Sequence, residues 1–190
     1  MSESRRVKAR EGKPVIGLRR HTVRVVDGDP GWLAMGCDEC RVLARLGEGL
    51  VLDAQHVGST AVLGLPAKPI LDIAVLVGAP SAVPPLIDAW RPGGYIYRGN
   101  HGDGGGHLFI REFEPDVRVA HIHVFASGDP QWDECLSFRD ALRSDAALRE
   151  RYAKLKQDLA ARYTNNRPSY TAGKEEFIRE VLGGLADGQS

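Results

Sequence analysis

Long apolar runs are missing from this sequence. No stretch approaches the roughly 20 consecutive apolar residues that a membrane-spanning helix requires. The N-terminus is basic and lacks the apolar segment of a secretory signal, so the cytoplasm is the expected compartment. Cysteine is scarce, at three residues, which fits that compartment. Cys37 and Cys40 do form a C-x-x-C pair, a spacing used for zinc or redox chemistry, but no second cysteine or histidine pair stands at zinc-like spacing. Both fall inside a helical pattern, so buried packing is expected for them, and half-burial for Cys135. Net charge is absent as well. The 25 Lys and Arg balance the 25 Asp and Glu, which gives no general reason to expect nucleic acid or membrane as a partner. The balance fails locally: residues 1–20 hold Arg5, Arg6, Lys8, Arg10, Lys13, Arg19 and Arg20 against Glu3 and Glu11. A flexible solvated tail is expected there, with an anion-contacting arm as the alternative.

What is present reads as one domain, since 190 residues suffice for a single sizeable core. After the tail, "HTVRVV" alternates and predicts a short strand. Asp29 and Pro30 make a helix start, and Trp32, Gly36, Cys40, Leu43 and Leu46 recur at helical spacing over 30–47. Strands follow at 50–57 and at 70–77; the second, "ILDIAVLV", is apolar enough for a central strand. A helix is expected at 81–91, then two strands around a glycine-rich loop at 99–106, then a strand at 118–125. Asp129 and Pro130 repeat the helix-start device. A long helix carries Leu148, Tyr152, Leu155, Leu159 and Tyr163 on one stripe; "NNRP" ends it, and "SYTAGKEEFIREVLGGL" forms the last. The pattern predicts an α+β fold: a short mixed sheet of about five strands, flanking helices and a helical C-terminal third.

The chemistry concentrates in "HVGSTAVLGLPAKPILDIAVLV", residues 56–77. A strand ending at Gly58-Ser59 exposes backbone N–H groups as the chain turns, and with Thr60 these could cradle a phosphate. About a dozen residues on, Asp72 interrupts an apolar strand; a carboxylate there must be paired or bind something. Beside a phosphate cradle it could hold a divalent cation bridging phosphate oxygens. Lys68 lies between them and could neutralise a phosphate or leaving group, a solvated loop lysine being the plain alternative.

"HVGSTAVLGLPAKPILDI" resembles the signature of the GrpB family, whose members share a fold with nucleotidyltransferases of the DNA polymerase β superfamily. The resemblance extends through "DPGW", "HIHVF", "GDPQW", "SFRDALRSDAALRERYAKLK" and "YTAGKEEFI", in the family's order, and covers residues 20–182. Leu63 departs from it, standing where the family usually has proline. The resemblance implies a single GrpB-like, nucleotidyltransferase-like domain over 21–187. The superfamily pattern is a glycine-serine turn, a strand with two carboxylates two residues apart, and a third on a neighbouring strand, together holding two metals at a nucleoside triphosphate. Asp72 matches the first carboxylate, but Ala74 occupies the place of the second.

A substitute is available on another strand. His121 and His123 project from one face while Ala120, Ile122 and Val124 face the other. With Asp72 and His56 they could form a three- or four-ligand site, which shifts the metal from magnesium toward zinc, manganese or iron. Direct hydrogen bonding of the histidines to Asp72 or to substrate is the alternative. A nucleotide-hydrolase motif of three alternating histidines is excluded, because Phe125 holds the third place. Tyr170 and Lys174 share a helix face, with Lys174 a phosphate contact and Phe177 expected in the core. Phe138 is expected in the core, and Arg139 and Asp140 as an ion pair or site lining; the 99–106 loop reads as a hairpin loop or a lid. The leading expectation is a nucleotidyltransferase-like enzyme moving a nucleotidyl group from a nucleoside triphosphate to a small acceptor. Asp72, His121, His123 and Lys68 would act in catalysis, and Gly58, Ser59, Thr60 and Lys174 would bind the nucleotide. The alternatives are an inactive ligand-binding or accessory module on the same fold, and a metal-dependent hydrolase built on the His/Asp set.

Overall fold

The computed structural model describes residues 16–101 and 106–187. Residues 1–15 of the basic tail and 102–105 of the glycine-rich loop lie outside the described residues. The elements run β1 (Leu18–Arg19), α1 (Gly31–Leu46), β2 (Val51–Val57), β3 (Leu71–Val77), α2 (Val83–Trp90), β4 (Tyr95–Asn100), β5 (His107–Glu114), β6 (Val117–Ala126), α3 (Pro130–Ser144), α4 (Ala146–Arg162) and α5 (Arg167–Asp187). Short side chains set the helix starts. The Asp29 carboxylate accepts from Gly31 N–H at 2.8 Å and Asp129 from Gln131 N–H at 3.0 Å. Asp145 accepts from Leu148 N–H at 2.9 Å, and the Asn166 side chain accepts from Ser169 N–H at 3.1 Å. Asn166 thus makes "NNRP" both the end of α4 and the start of α5, two residues ahead of the expected start.

The fold is α+β with one mixed sheet in the order β2-β3-β6-β5-β4. Only the β3–β6 pair is parallel among the five main strands; β1 adds a sixth, pairing antiparallel with the start of β6 through Leu18–Arg118. Residues 18 and 19 of the basic segment therefore belong to the sheet. "HTVRVV" does not form the expected strand. It crosses the fold as an extended strap, with Val23 N–H bonded to Thr164 O and Val26 exchanging hydrogen bonds with Ala67. Its alternation reflects two sides in contact, with Val23 buried against Leu159 and Tyr170.

The pleat separates two faces. Leu71, Ile73, Val75 and Val77 of β3, with Ala120, Ile122 and Val124 of β6, point into the main core beneath α1 and α2, around Trp32, Leu43, Leu86, Trp90 and Phe109. Cys40 packs at the edge of that core, whereas Cys37 is exposed, so the C-x-x-C pair is split by the helix surface rather than buried together. The opposite face carries Val57, Ala74 and Phe125 against Trp132, Cys135 and Leu136 of α3. Helices α4 and α5 close that side, with Tyr152 stacked on Phe177 at 5.1 Å between centroids. Among the described residues no helix is long and apolar enough to cross a membrane.

Candidate functional site

The second face is where the site forms. The register pairs Asp72 with His121 and Ala74 with His123, which puts one carboxylate and two imidazoles on the same side of the sheet. Gly58 follows β2 beside this pair with φ +67°, and a Cβ there would stand 2.8 Å from Asp72 Oδ2. Glycine is thus needed twice at this position, for its backbone angle and for the close approach of Asp72. Ser59, Thr60, Lys68, Asp72, His121, His123 and Lys174 all line one cavity of about 200 Å³. Gly58 lines an adjoining cavity of about 270 Å³ that shares Ser59, Asp72, His123 and Lys174 with the first.

His56 is not among the assembled groups. It pairs with Ile73, one residue out of step with Asp72, and therefore points through the opposite face. There it packs against α1, so close that a Cβ on Gly36 would meet its Nδ1 at 2.1 Å, and its Nε2 lies 2.9 Å from Thr60 Oγ1. Burial pushes its pKa down to about 4, with Arg143 and Arg139 adding to the effect and Asp72 opposing it.

His121 is occupied at both nitrogens. Arg167 Nη2 lies 3.0 Å from Nε2, and a guanidinium only donates, so Nε2 is the bare nitrogen. The proton then sits on Nδ1, which donates to Asp72 Oδ1 at 3.1 Å. Burial, helped by Arg167 and opposed by Asp72, keeps this ring neutral, with its pKa pushed down to about 4. Burial would raise the Asp72 carboxyl, but the hydrogen bond from His121 and the nearby Lys68 charge hold it well below the usual carboxylate range. Its side chain keeps 37% exposure, so this anion faces the cavity.

Opposite that single carboxylate stand four cations. Lys156 is 2% exposed; its Nζ donates to Ser59 Oγ at 2.8 Å and to Pro66 O at 2.5 Å, and sits 4.6 Å from the Tyr152 ring. Lys68 and Lys174 each lie 5.1 Å from the Tyr170 ring. Arg167, from the first turn of α5, completes the group. Burial, then Lys174 and Arg167, push the Lys68 ammonium from 10.5 down to about 7. Burial, then Lys174 and Lys68, push Lys156 down to about 6, and burial with Arg167 lowers Lys174. Lysines depressed by burial and by one another would regain their protons against a bound anion.

The superfamily's two metals do not fit this donor set. Asp72 is the one carboxylate, Ala74 offers no donor, His121 has both nitrogens engaged, and His56 faces away. Among the described residues no three His, Cys, Asp or Glu side chains are grouped to hold a metal ion. The expected three- or four-ligand metal site is therefore not gathered among the described residues.

The adjoining cavity is of a different kind. Val57, Phe125, Phe138, Tyr152, Ile178 and Leu182 make it apolar, with Gln131 and Glu134 at its polar edge. Phe138 and Phe177, expected in the core, are half-buried and pack on Tyr152 at its edge. Arg139 is an ion pair and a strut: it binds Asp140 at 2.8 Å and holds Gln55 and the His56 carbonyl, each at 3.2 Å. A wider cleft of about 560 Å³ lies at the far ends of β3 and β6, by Val77 and Ala126, and gathers none of the predicted site residues.

Sequence reasoning passed over Lys156 and Arg167. Lys156 had a signal: it stands between Tyr152 and Leu159 on the buried stripe of α4, where a lysine is out of place. Arg167 was hidden in a helix break.

Known proteins agree with this architecture. The GrpB protein family matches residues 22–183. The glutamate-rich protein GrpB of Alkalihalophilus pseudofirmus is 30% identical over 171 residues, 88% of this chain and 98% of that protein. Coverage differs among relatives: UPF0157 protein YqkA of Bacillus subtilis is 32% identical over 129 residues, and the match spans 68% of this chain but only 37% of that protein. The crystal structure of GrpB from Enterococcus faecalis superposes with TM-score 0.78 at 28% identity, over 88% of this chain and all of that one. The Cid1 poly(U) polymerase superposes with TM-score 0.50 at 14% identity, over 78% of this chain and 50% of that one, a likeness of fold.

Proposed function

We propose that this chain, which belongs to the GrpB family, binds a nucleoside triphosphate, its phosphates in the cationic cavity and its nucleoside in the apolar one. The observation that carries this reading is the convergence of Lys68, Lys156, Lys174 and Arg167 on a cavity with one carboxylate. Phosphate oxygens would relieve the mutual repulsion of those cations and accept several charge-assisted hydrogen bonds. The ring-lined cavity beside it suits a nucleobase, since aromatic faces stack on any base. In this reading lysine and arginine supply the countercharge that two metals supply elsewhere in the superfamily.

Calorimetric titration with ATP, CTP, GTP and UTP, in EDTA and then with magnesium or manganese, tests it. Binding is expected in EDTA, and Lys68→Met should weaken it by about tenfold, the value of one charge-assisted contact. Asp72→Asn separates the readings. Removing the sole anion should strengthen phosphate binding, whereas loss of binding in that variant would mean the carboxylate holds a metal. Failure of all four nucleotides to bind would end the proposal.

One observation favours transfer chemistry as a second reading. Asp72, His123 and Ser59 line both cavities, at the point where a bound phosphate and a small acceptor would meet. His123 would then take the proton of an acceptor hydroxyl as it attacks the α-phosphorus and pyrophosphate leaves. Pyrophosphate release in the presence of candidate acceptors measures this. Turnover abolished in His123→Gln with binding retained would support transfer; release at the background rate leaves a binding module.

A further inference from the structure

The wall of the cationic cavity is shared. Arg167 and Thr171, on successive turns of α5, also line an outer groove of about 420 Å³. Its other cations are Arg20 and Arg118, His21 also lines it, and its one acidic lining residue is Glu175. Arg20 and Arg118 are brought together by β1, whose Leu18 pairs with Arg118 on β6, so Arg20 reaches this spot. Arg118 is held rather than solvated, with its side chain 11% exposed. Among the described residues its Nε is buried with no hydrogen-bond partner; Glu112 pairs with it only as an ion, at 3.9 Å, beyond hydrogen-bond reach. A buried guanidinium donor left without an acceptor is unfavourable unless a ligand completes it. Burial and the charges of Arg167, Arg20 and Arg98 all disfavour the Arg118 cation, and Glu112 only partly offsets them.

We propose that this groove is a second anion subsite, which takes the outer phosphates of an oligophosphate chain whose first phosphate occupies the inner cavity. It rests on the phosphate-binding reading of that cavity. Arg118 and Arg20 present guanidinium forks, whose planar donors match phosphate oxygens two at a time. Arg167 is the common contact, reaching the inner phosphate on one side and the next on the other. The ligand class that follows is a linear di- or triphosphate, free or esterified, in preference to a single phosphate group.

Titration with inorganic phosphate, pyrophosphate and tripolyphosphate at fixed ionic strength and in EDTA tests the inference. The native protein should bind tripolyphosphate at least about tenfold more tightly than phosphate, more than charge alone gives at a surface. In Arg118→Met and in Arg20→Ser the gain should shrink to about threefold or less, with phosphate affinity unchanged. Arg20 is exposed, so that variant retains the fold even if Arg118→Met does not. No gain with chain length, or an equal gain in Arg20→Ser, overturns the subsite and leaves the inner cavity standing. No binding of any of the three overturns both.

Discussion

Gly58 and Lys156 are the two residues on which the site's geometry turns. A methyl at position 58 would demand a left-handed backbone from an L residue and would press on Asp72 Oδ2. Gly58→Ala should therefore lower stability by about 1–3 kcal/mol, measured as a reduced urea midpoint at unchanged slope. An equal midpoint would mean that Asp72 is not held against the turn. Lys156 fixes the turn from the other side through Ser59 and Pro66. Lys156→Met keeps the stem and removes the ammonium. Nucleotide affinity should fall by about tenfold or more, because one cation and the Ser59 orientation are lost together. At residue scale the sequence was informative where a residue broke a pattern. Asp72 in an apolar strand was conspicuous, and so were the paired histidines. His56 was misplaced because a one-residue offset in β2 moves a side chain to the other face, and that register is set by pairing with β3, not by local sequence.

At the scale of elements, strands and helices divide the work. β3 and β6 supply the anion and the imidazoles, while α4 and α5 supply Lys156, Lys174 and Arg167. Tyr170 joins the two sets, buried at 1% exposure with Lys68 and Lys174 over its ring. Tyr170→Ala should cost about 3–5 kcal/mol of stability by leaving a ring-sized cavity between α5 and the rest of the fold. Tyr170→Phe keeps the ring that fills this space and should stay within about 1 kcal/mol of native. Thermal melts of the two variants check the contrast. The elements themselves were legible in outline: capped helix starts at Asp29 and Asp129, apolar β3, alternating β6. The strap at 21–26 was not, because alternation records two-sided contact and not a ladder. The helical C-terminal third was legible as helices, yet its docking onto the Asp72 face depends on contacts far apart in the chain.

Over the whole molecule, the lysine cluster makes stability depend on pH. Lys68 and Lys156 have folded pKa values near 7 and 6 against an ordinary 10.5. Between pH 7 and 8.5 the unfolded chain therefore holds more protons than the folded one, and stability must rise with pH. The urea midpoint should be higher at pH 8.5 than at pH 7, and saturating nucleoside triphosphate should narrow the difference, because a bound anion restores the lysine protons. A midpoint that falls over this interval would mean that the lysines are not crowded. A crystal structure with a non-hydrolysable nucleoside triphosphate decides whether the cationic cavity takes the phosphates. Phosphate oxygens are expected at direct hydrogen-bond distance, about 2.8 Å, from Lys68, Lys156, Lys174 and Arg167. Phosphates bound elsewhere, or held to Asp72 through a metal ion with those four side chains turned away, would contradict this.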